Sequence, residues 1–220
     1  MNPPLTQKTL AAAARKLAAR DELLAGIFAV HGDPPLWRRA SGFTTLVHII
    51  LEQQVSLKSA KSMLVRLERA IEPFTPSRFI ELGDGHLRGL GVTRQKSAYL
   101  LHLSECIENG ELSFTKLARM SDDDARVVLT RIKGIGLWSA DVYLLMAMRR
   151  ADIWPAGDLA LAVAMKDLKG LPHRPGPDEL ERLAENWRPH RAVAARMLWQ
   201  YYLGQREVSR KGAKNAKKKT

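Results

Sequence analysis

Residues 131–141 read RIKGIGLWSAD, and two glycines one residue apart, Gly134 and Gly136, interrupt a pattern that is helical on both sides. Upstream, Ser121 followed by Asp124 has the spacing of a capping box and opens a helix that ends at Gly134. Downstream, Leu137, Ala140, Leu144, Leu145 and Met148 recur at the spacing of one buried helical face, so a second helix begins near Leu137. Such a turn has two readings. The plain one is a glycine C-cap followed by a helix N-terminus, which any helical protein uses. The other is a phosphate grip. Glycine lets the backbone take positive φ and approach a surface closely, and the amides and dipole opening the second helix favour an anion. Lys133 and Ser139 flank the turn and can add contacts to the same nucleic-acid backbone, which carry no base information. The glycines alone favour the plain reading, so the rest of the chain must decide.

Working outward, helical periodicity recurs and strand signals are nearly absent, with no sustained alternation and no Asn-Gly hairpin. Leu10, Ala13, Leu17, Leu24, Ile27 and Phe28 make residues 6–30 one or two amphipathic helices. HGDPPLWRRASG (31–42) breaks the pattern. Phe43 to Ile71 is one long helix or two abutting ones, with Gln53-Gln54-Val55-Ser56 as the break. Residues 73–91 hold a short helix inside turns, and 94–108 form another. IWPAG (153–157) leads into a helix from Asp158 to about Lys169, closed by Gly170, and further helices run from about Asp178 to Gly204. The expected class is all-α.

The 220 residues carry a net charge of +12, which favours a polyanionic partner. Half of that excess lies in QREVSRKGAKNAKKKT (205–220), with seven basic residues and one acid, and this tail is expected to be disordered. The body keeps the other half. A single cysteine, Cys106, excludes an internal disulfide and a four-cysteine cluster. His102 and Cys106 share a helical face but have no evident third ligand, so packing is the better reading. No apolar run approaches the roughly 20 residues that span a membrane. The acid-free start up to Asp21 leaves an organelle transit peptide as the alternative to a plain amphipathic helix. The expectation is a soluble protein without a membrane partner, cytoplasmic, and nucleoid-associated if bacterial.

Asp158 stands at a helix start after a proline-containing loop. The bland role is N-cap, which Asp fills well. The same amides favour the anion, and an ionised carboxylate beside a sugar can stabilise an oxocarbenium-like transition state or activate water. Both roles can hold at once. Trp138 and Trp199, with Tyr143 near the first, are either core aromatics or a stacking pocket for an extruded base. A cationic base would gain about 0.5–2 kcal/mol per ring.

Taken together, RIKGIGLWSADVYLL, the spacing to WPAGDLAL, HIILEQQVSLKSAKSM upstream and LAENWRPHRAVAARMLWQYY (183–202) resemble the helix–hairpin–helix (HhH-GPD) DNA glycosylases. Within them the alkylation-repair branch, 3-methyladenine DNA glycosylase II, is the nearest likeness, over about residues 40–203. The resemblance implies a two-lobed helical fold filling residues 1–204 as one unit with a cleft between its lobes. It implies that Ile132 to Gly136 (Ile135 included) hold a phosphate through their amides, and that the carbonyls of Ile132 and Gly134 are a site for a monovalent cation. Asp158 matches the catalytic aspartate, and Trp138 and Trp199 match aromatic walls of the base pocket. Gln54 matches the wedge that enters the duplex where the base leaves, with Gln53 beside the pocket. Relatives that also nick the strand carry a lysine where this chain has Trp138, so a monofunctional enzyme using water is implied. The bacterial prototype's extra N-terminal β domain has no counterpart here, which makes Trp37 in the 31–42 loop a candidate replacement wall.

The implied activity is excision of alkylated bases such as 3-methyladenine and 7-methylguanine from double-stranded DNA, by a monomer without an organic cofactor. Three rivals remain: a non-catalytic DNA-structure-binding module, a glycosylase/lyase, and a glycosylase for neutral lesions such as hypoxanthine or uracil.

Overall fold

The computed structural model describes the backbone of residues 3–217 and side chains as far as Glu207. Twelve α-helices are present and no strand is found among the described residues. They are α1 (Gln7–Ala18), α2 (Glu22–His31), α3 (Phe43–Glu52), α4 (Leu57–Ala70), α5 (Pro76–Gly89), α6 (Arg94–Glu108), α7 (Phe114–Leu117), α8 (Asp122–Thr130), α9 (Leu137–Met146), α10 (Leu159–Lys169), α11 (Pro177–Ala184) and α12 (Arg191–Lys217). The all-α expectation is met. The 6–30 segment is two helices, and the 43–71 segment divides at the expected Gln53–Ser56 break. The single turn α7 was not foreseen.

The chain forms two compact units. One is Arg38–Met148, holding α3 to α9, and the other joins the chain ends, Asn2–Trp37 with Arg149–Thr220. In the first unit α3 is the central helix. Seven of its apolar or β-branched side chains and Glu52 are buried, from Phe43 through Leu51, and it packs on α4, α6 and α9. A helix apolar all round is stable only when neighbours cover every face. Glu52 is accommodated by a bidentate Arg39 pair at 2.7 and 2.8 Å.

In the second unit α12 packs on α1, α2 and α10. Five buried residues of α1 (Leu10, Ala11, Ala13, Ala14 and Leu17) make it part of this core. Trp154 and Trp187 meet edge to face at 5.5 Å, and the Trp187 indole donates to Asp21 at 2.7 Å. Arg191, 4% exposed, ties the start of α12 to both carboxylate oxygens and the carbonyl of Asp152. That clamp fixes the segment leading to Asp158.

Two local expectations need correction. Ser121 caps α8 by accepting from the Asp124 amide at 3.1 Å, but it also donates its hydroxyl to the Asp124 carboxylate at 2.6 Å. The acid is thereby kept from the reciprocal bond of a full capping box. The 205–217 stretch, expected to be disordered, continues α12 as helical backbone. Its Ala, Lys, Arg and Gln residues are good helix formers, which the charge-based reading overlooked. Residues 218–220 lie outside the described residues.

Candidate active site

The hairpin of residues 131–136 joins α8 to α9, and Arg126 staples the two helices by a 2.6 Å contact with Asp141. Ile132 and Ile135 are buried at 4% and 3% exposure, so they anchor the turn from within. The turn closes through Ile132 N–H to Leu129 O (3.1 Å) and Ile135 N–H to Ile132 O (2.9 Å). The two glycines have different jobs. Gly134 has φ +89, and an added Cβ would meet Tyr99, whose own Cβ lies 2.8 Å away. Gly136 is extended (φ −87, ψ 179), caps α9 without a side-chain hydrogen bond, and has no atom within 4 Å of an added Cβ. Only the first glycine is needed for positive φ. The second gives α9 no side-chain cap.

Several predicted contact groups are already engaged inside this unit. Ser139 is buried, and its hydroxyl accepts from Gln53 Nε2 at 3.0 Å, so it does not reach outward. Gln53 also donates to the Gly134 carbonyl at 2.7 Å, which makes it a brace for the hairpin. Lys133 exposes its side chain while its amide donates to His102 Nδ1 at 3.3 Å. The carbonyls of Ile132 and Gly134 each accept a protein N–H, from Ile135 and Gln53 respectively. Each carbonyl oxygen keeps a second lone pair beyond the one bond it accepts. Tyr143 is fully buried; its hydroxyl pairs with Ser41 Oγ at 2.8 Å and accepts the Gly42 amide at 3.1 Å. Burial pushes its phenol pKa up. It is a core anchor with no face for a base.

Gln54 behaves otherwise. It is exposed with φ +58, a left-handed backbone costing a non-glycine residue about 1–3 kcal/mol. Trp138 is half-buried in the first turn of α9.

In the second unit, Asp158 is the N-cap of α10, 9% exposed. Its Oδ1 accepts the Leu161 amide at 3.0 Å and the Trp199 indole N–H at 3.0 Å. Two N–H donors on one oxygen fix the orientation of the carboxylate. Trp199 belongs to α12, 41 residues further on, and is 8% exposed. Trp37 packs its ring edge-on to Trp199 at 6.2 Å and holds φ +43. Sequence reasoning missed Arg196, one turn before Trp199. Fully buried, it donates to the Leu36 carbonyl at 3.1 Å and so steadies the residue before Trp37. Burial lowers its pKa to about 10. An open depression of about 440 Å³ adjoins Asp158, lined by Gly157, Leu159, His173 and Arg174 among others. These last two gave no signal in the sequence beyond their place in a turn.

His102 and Cys106 lie 3.6 Å apart with the hairpin amide as the further neighbour, and no cluster of three metal-ligating side chains occurs among the described residues. No described helix is long and apolar enough to cross a membrane.

One unit carries a glycine turn between two helices, and the other an N-cap aspartate held by a tryptophan indole. The family model for HhH-GPD superfamily base excision DNA repair proteins matches residues 47–189, and the chain belongs to that superfamily. Among relatives, a Bacillus subtilis protein provisionally named a DNA-3-methyladenine glycosylase is 28% identical over 184 residues, covering 80% of this chain and 64% of the relative. An alkylbase DNA glycosidase-like protein of Schizosaccharomyces pombe is 31% identical over 57% of this chain and 60% of its own. This chain thus spans about six tenths of those relatives. The crystal structure of a Bacillus halodurans DNA-3-methyladenine glycosidase superposes with TM-score 0.75 at 30% identity, covering 86% of this chain and 88% of that one. The S. pombe 3-methyladenine DNA glycosylase bound to abasic DNA shares the fold, with TM-score 0.79 at 24% identity.

Proposed function

We propose that the protein is a monofunctional DNA glycosylase that releases alkylated bases, 3-methyladenine and 7-methylguanine among them, from double-stranded DNA and leaves an abasic site. The observation that carries this reading is Asp158, a buried carboxylate held by a helix amide and an indole; its spacing from the G-x-G hairpin is the one the resemblance implies. The relatives' names point to the first of these lesions, 3-methyladenine.

In this reading the mouth of α9 at Gly136 takes a backbone phosphate, Lys133 adds charge, and Gln54 enters the duplex as the nucleotide turns out. N-alkylation leaves the base cationic, so it departs with the electron pair of the glycosidic bond as a neutral molecule. Asp158 stabilises the positive charge that develops on the sugar and accepts a proton from the water that adds to C1′. Trp199 and Trp37 offer the base aromatic faces beside Asp158, and Trp138 keeps the wall role implied by the resemblance. Trp138 also stands where a lyase keeps its lysine, so strand nicking is not expected.

Release of methylated bases from alkylated duplex DNA by wild type and Asp158→Asn tests the reading. Asparagine is as good an N-cap as aspartate, so the helix is spared while the charge is lost. The variant should be slower by roughly a hundredfold or more. Full activity would overturn the assignment of Asp158, and no release from any lesion by wild type would favour the DNA-structure-binding rival. Covalent trapping with borohydride would point to the lyase.

A further inference from the structure

We infer that Lys96 on α6 is a positioning residue for base extrusion, and that the α6 stripe of Lys96, Tyr99 and His102 locks the Gln54 wedge and the hairpin into one tool. The inference rests on the function proposed above. None of these three residues belongs to the hairpin, the wedge or the aspartate site.

The three lie at i, i+3 and i+6, on one helical face. Lys96 Nζ donates to the carbonyls of Leu51 at 2.7 Å and Gln53 at 2.9 Å. Those carbonyls end α3, where a helix leaves its last acceptors unsatisfied and a cation is favoured. The Gln53 carbonyl belongs to the peptide that leads into Gln54, so the ammonium fixes the plane from which the φ +58 backbone departs. Gln53 is then gripped at both ends, its carbonyl by Lys96 and its side chain by Gly134 O and Ser139 Oγ. Tyr99 lies directly under Gly134, and His102 Nδ1 takes the Lys133 amide at 3.3 Å. Wedge and hairpin, 81 residues apart along the chain at Gln53 and Gly134, thus share one support.

The mechanical consequence is specific. A wedge displaces a stacked base only if the phosphate grip bears against it, and a left-handed non-glycine residue relaxes once its neighbours release it. Freeing the Gln53 carbonyl would blunt the wedge without touching the aspartate or the base. The cost should fall on extrusion, and therefore depend on how well the lesion is paired.

The test compares single-turnover release of 7-methylguanine paired with cytosine and 7-methylguanine opposite an abasic analogue, where little stacking opposes extrusion. Alongside, 2-aminopurine beside the lesion reports unstacking, and thermal melting reports folding. Lys96→Met should slow release from the paired site by roughly tenfold, about the worth of one charge-assisted hydrogen bond, while release opposite the gap stays within about twofold. Lys96→Arg keeps cationic donors at that point and should fall between wild type and Lys96→Met at the paired site. Equal loss at both sites, or an unchanged paired rate, overturns the inference. Should wild type release no base from either, the proposed function fails while the fluorescence still decides the role of Lys96. A rise lost in Lys96→Met supports it, whereas an equal rise, or none in wild type, overturns it.

Discussion

Replacing Trp199 by phenylalanine separates the two jobs proposed for that side chain. Phenylalanine keeps an aromatic face but has no N–H to offer Asp158 Oδ1, which the indole now contacts at 3.0 Å. A hydrogen bond to a charged group contributes about 1.5–3 kcal/mol, and each 1.4 kcal/mol of barrier is about tenfold in rate. If the bond orients the carboxylate for the transition state, Trp199→Phe should slow single-turnover release of 7-methylguanine by roughly 10- to 100-fold. Affinity for duplex containing an abasic analogue should change little, because that ligand presents no base to stack. The remaining Leu161 amide keeps the cap, so the melting temperature should fall only modestly. Coupling decides the matter. In Asp158→Asn the charge is already gone, so adding Trp199→Phe should cost little further. A single variant as fast as wild type, or losses that simply add in the double variant, would refute the orienting role.

Three other outcomes follow from particular contacts. Gly136→Asp should fit its extended backbone and open surroundings, raise the melting temperature slightly by capping α9, and weaken duplex binding while lowering the magnitude of the salt slope by about 0.9 per lost phosphate; unchanged affinity would exclude this helix mouth as a phosphate grip. Gly134→Ala should destabilise the fold by more than about 1 kcal/mol in denaturant titration, since φ +89 and Tyr99 both oppose a Cβ. Cys106 is buried, and desolvation pushes its thiol up to about 11, so it is almost wholly protonated at neutral pH. A disulfide reagent should label it slowly in the native protein, faster as pH rises toward that value, and at once after denaturation.

The parts legible in the sequence were those whose partners lie close along the chain. The glycine turn, the Asp158 cap, the Gly170 stop and the Gln53–Ser56 break all announce themselves within a few residues. What escaped was decided by partners far away. Nothing near Gln53 in the sequence shows that Gly134 and Ser139, 81 and 86 residues on, share its amide. Tyr143 reads equally as a core ring or a base-stacking one, and its hydroxyl partner, Ser41, lies 102 residues earlier. Arg196 looks like a surface cation of a basic protein and is instead fully buried beneath the Trp37 loop. In each case a polar group near the site holds the scaffold, since a buried donor or acceptor must be paired.

The two helix N-termini that matter most show why one turn carries a glycine and the other an aspartate. Both α9 and α10 present amides and a positive dipole end. At α10 the chain provides its own anion, and Asp158 is held by the Leu161 amide and further fixed by Trp199. That helix mouth is satisfied, and what it displays is an oriented carboxylate. At α9 the cap residue is Gly136, with no side chain to accept those amides and nothing crowding the space above it. That mouth favours an anion supplied from outside. On the proposed function, exchanging the two residues would undo both roles, because a carboxylate at 136 would compete with the phosphate and a glycine at 158 would leave the developing sugar cation unopposed. In the proposed reading the same backbone device serves as grip or as catalyst, according to which side provides the negative charge.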